Sequence, residues 1–167
     1  MEFKIRHADP NDVQAILDII NYEINFTTNL YDYHERTIKD LTDWFNKKQI
    51  DGHPVIVAEE KNEILGYGSY GEFRQRAAYQ YTVEHSIYVS KNARGKGVGR
   101  QLMKELIHLA TEQGFHTMIA GIDGANQFSQ EFHRKFGFVE VGRLKEVGYK
   151  FDKWLDLVFM QLILKKP

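Results

Sequence analysis

A strand that runs into three alternating glycines and then into a helix occupies the middle of this chain, and it constrains the fold more than any other feature. Tyr81 to Val89 alternates as a strand, and Arg94 to Gly99 is a glycine-rich turn. Val98, Leu102, Leu106, Leu109 and Ala110 then mark one face of a helix ending at Gln113-Gly114. His116 to Ile122 returns to strand. Strand, helix and strand in that order form a crossover, which needs a sheet to close on.

The flanks supply that sheet. Lys4 to His7 predicts a short strand, and Val13, Ile16, Leu17 and Ile20 predict a helix with Asp9 as N-cap and Pro10 as its first residue. Ile38, Leu41, Trp44 and Phe45 give a second helix capped by Thr37. Val55 to Glu59 and Ile64 to Tyr70 read as an antiparallel hairpin. A short helix over Asn126 to Phe136 precedes two closing strands, Phe138 to Val147 and Trp154 to Leu164. No linker or internal repeat divides the chain, so a single α/β domain over residues 1–167 is expected, with a mixed sheet and helices on its faces.

Composition removes several functions. With 22 Lys+Arg against 23 Asp+Glu, the chain lacks the basic excess that phosphate backbones select, so nucleic acid is not an expected partner. The absence of Cys excludes disulfides, thiolate metal sites and thiol nucleophiles, and fits a reducing, cytoplasmic setting. No run of apolar residues is long enough to span a bilayer, and Met-Glu-Phe-Lys-Ile-Arg contains no export signal, so no membrane role is expected. Seven His are present without a His-Glu-x-x-His or similar cluster, so no metal is expected.

The glycine turn has the makings of a phosphate cradle. Gly95, Gly97 and Gly99 allow a diphosphate to approach the amides at a helix N-terminus, and Arg94, Lys96 and Arg100 add positive charge. The plain alternative is a tight turn with solvated basic residues. A P-loop lacks its G-x-x-x-x-G-K-[ST], and the dinucleotide fingerprint G-x-G-x-x-G is not matched, which leaves nicotinamide binding as the weaker alternative.

Arg94-Gly95-Lys96-Gly97-Val98-Gly99 resembles the Q/R-x-x-G-x-G/A motif with which GCN5-related N-acetyltransferases cradle the diphosphate of acetyl-CoA. Thr82 to Val89, Ala120-Gly121-Ile122-Asp123, Phe136-Gly137-Phe138 and Trp154 to Gln161 are similar to the phosphinothricin acetyltransferase branch of that superfamily. The resemblance covers nearly the whole chain. It implies a twisted, mixed sheet that splays beside the cofactor, and a homodimer. It also implies acetyl transfer to the α-amine of a small amino acid or analogue such as phosphinothricin, methionine sulfoximine or methionine sulfone.

Acetylating an ammonium requires a base, and Glu84 is the candidate. On an alternating strand Glu84, Ser86 and Tyr88 share one face, while His85 and Ile87 take the other. The alternative is a carboxylate paired with an Arg. The resemblance places Glu84 at the branch's catalytic glutamate, and it implies that the backbone of Ile87, Tyr88 and Val89 pairs with pantetheine. It further implies that His133 meets the leaving thiolate, with Asn126 and Ser129 on the cofactor side of the same helix. The ordinary alternative packs Phe128, Phe132 and Phe136 and exposes His133. For the acceptor, Arg74, Gln75, Arg76 and Tyr79 precede the catalytic strand, and an Arg pair suits an α-carboxylate. His85 and Ser86 beside Glu84 are expected to complete that site, together with Phe26. Phe26-Thr27-Thr28 and Tyr149-Lys150-Phe151 match branch segments near the substrate or the dimer contact. Competing readings are acetylation of a protein N-terminus or a polyamine, and an acyl-CoA sensor without catalysis.

Overall fold

In the computed structural model, which describes residues 2–164, hydrophobic period and observed element agree in type and order along the chain. β1 (Lys4–His7) leads through a 3-10 turn, Pro10–Asp12, into α1 (Val13–Phe26). The helix starts later than the Asp9-Pro10 signal predicts, because Asp9 and Asp12 close a capping box around the tighter turn. α2 (Ile38–Ile50) begins at Thr37, whose side chain accepts from the Asp40 amide while the Asp40 carboxylate accepts from the Thr37 amide. β2 (Val55–Glu60) and β3 (Glu63–Glu72) form the predicted hairpin.

β4 (Thr82–Val89), α3 (Val98–Glu112) and β5 (Thr117–Asp123) are the crossover, and α4 (Gln127–Arg134) leads to the long hairpin β6 (Val139–Lys150) and β7 (Lys153–Ile163). α4 stops short of Phe136 because Gly137 turns left-handed at φ 89°. β6 runs past Val147 because the chain reverses at Phe151-Asp152, both at positive φ, a turn that carries none of the usual glycine signal.

The strands lie in the order β1-β2-β3-β4-β5-β7-β6, with the parallel pair at the centre. Val55 and Val57 face α1 and α2, whereas Ile56 and Ala58 face α3, so this stretch is buried on both sides. One local irregularity positions everything functional. β4 and β5 pair only where Thr82–Glu84 meets Thr117–Ile119. β4 continues along β3 to Val89 and β5 continues along β7 to Asp123, so the two strands part after Glu84. The sheet is splayed there.

Candidate active site

The parting of β4 and β5 opens a cleft of about 670 Å³, walled by the glycine turn, the first turn of α3, one side of α4 and the loop Asn29–Tyr31. Past Glu84 the outward amides of β4 have no strand partner on that side, so an amide-bearing ligand can add along it as a strand would. Farther along, Gly97 caps α3 in the left-handed conformation at φ 84°, and no side chain among the described residues bonds the helix's first amides. A Cβ at Gly95 or Gly97 would meet nothing within 4 Å, so both glycines border open space. Arg100 stands beside those amides on the cleft wall. Free amides, the helix dipole and a nearby cation together suit a diphosphate.

A second cavity of about 240 Å³ lies on the other face of the sheet, among Arg36, Trp44, Lys48, Tyr67 and Ser69. Leu30, Glu84, Ser86 and Tyr88 border both cavities. Glu84 therefore stands at their junction. Burial raises its pKa above the usual carboxylate value, the charge of Arg74 opposes that rise, and no hydrogen bond from the described residues offsets it. Two residues beyond its β5 partner Ile119 is Gly121, where a Cβ would come within 3.1 Å of Glu84 Oε1.

The acetyltransferase (GNAT) family matches residues 19–138, a span that contains the parted strands, the glycine turn and α4. This chain belongs to that family. The acetyltransferase uses acetyl-CoA, and the open edge of β4 and the uncapped start of α3 fit the amides and the diphosphate of that donor. It is 40% identical over 160 residues to the L-amino acid N-acyltransferase MnaT of Escherichia coli (strain K12), with 96% of this chain and 93% of that protein covered. Identity to the L-methionine sulfoximine/L-methionine sulfone acetyltransferase of Salmonella typhimurium is also 40% over 160 residues, covering 96% and 94%. The phosphinothricin acetyltransferase (Pat) of Sinorhizobium meliloti in complex with AcCoA superposes with a TM-score of 0.95 at 36% identity, covering 98% of this chain and 89% of that one.

Several residues predicted for the acetyltransferase's site are turned to other uses. Arg94 lines the cleft, but its guanidinium donates to the buried Glu23 of α1 and lies over the Tyr22 ring. A carboxylate buried in α1 requires a counter-charge, and Arg94 supplies it from the cleft wall. Lys96 is exposed and lines neither cavity. Phe26, 69% exposed, packs on Tyr22 at the end of α1, and the loop meets the cleft through Asn29, Leu30 and Tyr31 instead. Lys150 holds that loop by donating to the Thr27 and Leu30 carbonyls at 2.8 and 2.6 Å. The segments Phe26-Thr27-Thr28 and Tyr149-Lys150-Phe151 thus meet as supports of the rim.

Gln75, Arg76 and Tyr79 are exposed outside both cavities, as is Arg74, which stacks on Phe73 at 5.1 Å. Of that loop only the Arg74 charge acts on Glu84. Ser86 faces the junction, paired with Ser69 of β3. His85 points the other way and is buried under α4, so it does not belong with the acceptor contacts.

His133 and Phe128 exchange the places that the ordinary reading gives them, with Phe128 82% exposed and His133 only 6%, while Phe132 and Phe136 pack on the core as that reading has them. The His133 and His85 rings stack with centroids 5.1 Å apart and Nε2 atoms 3.1 Å apart. His133 Nδ1 lies 2.6 Å from the Ser129 carbonyl, which only accepts, so Nδ1 carries the proton and Nε2 accepts from His85. Burial lowers both pKa values, with the two rings opposing each other's charge at His85 and the Ser129 bond opposing the shift at His133. Both His133 nitrogens thus have protein partners, on a wall of the cleft. Asn126 caps α4 by accepting from the Ser129 amide and donates to Asn29, closing the cleft rim. No sequence pattern marks Arg36, Trp44, Lys48, Tyr67 or Ser69 as a site residue, and Gly121 is marked only as part of a segment similar to the branch. Trp44 and Lys48 share a helix face, but nothing local says that α2 lies over β3.

Proposed function

We propose that this chain moves the acetyl group of acetyl-CoA to the α-amine of a small amino acid or analogue of the methionine sulfone, methionine sulfoximine or phosphinothricin type, with Glu84 as general base. The observation that carries this reading is the unpaired Glu84 at the junction of the two cavities, one suited to the donor and the other to an acceptor. Bound acetyl-CoA supplies the thioester carbonyl. Glu84 takes the proton of the acceptor ammonium, directly or through one water. A β4 amide near Ile87 donates to the oxygen on which negative charge develops. A thiol pKa of about 8.5 lets solvent protonate the leaving thiolate, so His133 is a positioning residue that holds α4 against β4.

The relatives' substrates support an amino acid acceptor. Lys48 and Arg36 in the second cavity, and the charge of Arg74 acting on Glu84, disfavour a polyamine, which carboxylates would attract. The cavity's volume suits one side chain more than a peptide. A sensor would have no use for an unpaired base at the junction. Thiol release from acetyl-CoA with methionine sulfone, methionine sulfoximine, phosphinothricin, spermidine and a peptide amine is the test: the first three turn over and the last two do not, and the reverse order would overturn the reading. In the same assay Arg74→Ala raises KM for the α-amino acid about 10- to 100-fold, as expected for a lost charge-assisted hydrogen bond. The matching carboxylate-free amine changes little, and Arg76→Ala has the smaller effect of the two.

The proposed assembly is a homodimer. β6 is an edge strand on which Val139, Val141, Leu144 and Val147 are exposed, continued on β7 by Trp154. A long apolar edge of this kind calls for cover, and a second copy presents a matching one. Light scattering is expected to give twice the chain mass, and Trp154→Asp with Val141→Lys to give the single chain mass with helix content unchanged. The cytoplasm is the proposed setting, since acetyl-CoA is an intracellular metabolite.

A further inference from the structure

We propose that Lys48 forms an oxygen-binding subsite in the second cavity, where its ammonium holds the tetrahedral oxo group of the acceptor's side chain, a sulfone, sulfoximine or phosphinate. The proposal rests on the acceptor reading above and deepens it. Lys48 leaves the last turn of α2 and donates to the Tyr70 carbonyl at 2.7 Å, just past the final β2–β3 pair, Val55 with Ser69. An ammonium has three donors, and this bond uses one. The acidic charge that acts on Lys48 is that of Asp51, which is itself paired with Lys47 at 2.6 Å. Arg36, the other cation of the cavity, is paired with Asp32 at 3.2 Å. Burial lowers the Lys48 pKa to about 8, as expected for an ammonium held in the fold without a close counter-ion.

Register brings Lys48 to the reacting end of the cavity. Gly71 of β3 pairs with Glu84 of β4, and a Cβ on Gly71 would fall 2.6 Å from Lys48 Nζ, so the glycine is what admits the lysine. Lys48 Nζ thus lies over β3 at the level of Glu84, about one strand spacing of 5 Å or slightly more from the β4 backbone. An α-amine beside Glu84 and an oxo centre two methylenes beyond the α-carbon span that gap. The Trp44 ring, 5.8 Å from Lys48 Nζ, and Tyr67 supply apolar cover for those methylenes.

Lys48→Met keeps the stem and removes the donor. Against methionine sulfone and phosphinothricin its kcat/KM is expected to fall about 10- to 100-fold, carried by KM, as for loss of a hydrogen bond to a charged group. Against norleucine, which has the stem without the oxo group, the change should stay within about threefold. Lys48→Gln, which can still donate to the Tyr70 carbonyl, serves if the Met variant loses its fold, and Lys48→Arg should recover part of the selectivity. Calorimetry of methionine sulfone with each variant gives the same ranking without turnover. Equal losses on both acceptor types would make Lys48 a strut for β3, and no loss on either would remove it from the cavity's chemistry; both overturn the subsite. If the wild-type enzyme acetylated no α-amino acid, the acceptor reading itself would fall, and the subsite with it.

Discussion

Glu84→Gln is expected to lower kcat by about 10²- to 10⁴-fold near neutral pH, the usual contribution of a general base, with acetyl-CoA affinity little changed. The substitution keeps size and hydrogen bonding and deletes proton acceptance. Because burial lifts the Glu84 pKa above its ordinary value, the wild-type kcat/KM should rise with pH through that raised value as the carboxylate ionises. Above the acceptor's amine pKa the nucleophile arrives neutral, so the wild-type and mutant rates should converge. A deficit that stayed constant across pH would point to Glu84 orienting the acceptor instead. Stability supplies a second readout. A carboxyl whose folded pKa is raised contributes its full stability below the unfolded pKa and loses it as pH rises through the folded value. At pH 7 Glu84 therefore destabilises the fold, and Glu84→Gln should melt slightly higher there, with the difference disappearing below about pH 4.

Much of this architecture is legible in the sequence because it is set by local periods. Thr37 with Asp40, the glycines of the central turn and the alternation of Glu84, Ser86 and Tyr88 each express a short-range rule. Arg94 shows where such rules stop. Its place in the motif suggests a diphosphate contact, and nothing local shows that its guanidinium also pairs with a carboxylate buried 71 residues earlier in the chain. The burial of His133 is illegible for a related reason, since its partner His85 is 48 residues away. The second cavity was invisible for the same cause. Lys48 reaches the second cavity only because α2 crosses β3 where β2 has ended and where residue 71 lacks a side chain. Charge pairing and helix placement are tertiary events, and single-chain spacing does not encode them in readable form.

Gly121→Val is expected to lower kcat/KM by about 10²-fold or more while leaving the fold intact, because β-branched residues suit strands and the position faces the cleft. The Cβ alone comes within 3.1 Å of Glu84 Oε1 and 3.5 Å of Leu157 Cδ1. Glu84 is a flexible side chain at that contact, so Gly121→Ala should displace it by a few tenths of an ångström and cost only a few-fold in rate, an order typical of small misplacements. Valine's two methyls extend farther and force the carboxylate out of line. Two mechanisms can produce the loss, displacement of the base or obstruction of acetyl-CoA, and a double mutant separates them. If valine acts by displacing Glu84, the Gly121→Val/Glu84→Gln enzyme should be scarcely slower than the more impaired single mutant, because both changes remove one function. Calorimetry should then show acetyl-CoA affinity close to wild type. If the two losses multiply and acetyl-CoA affinity falls, Gly121 is a floor for the donor, and the space it leaves beside Glu84 is incidental to proton transfer.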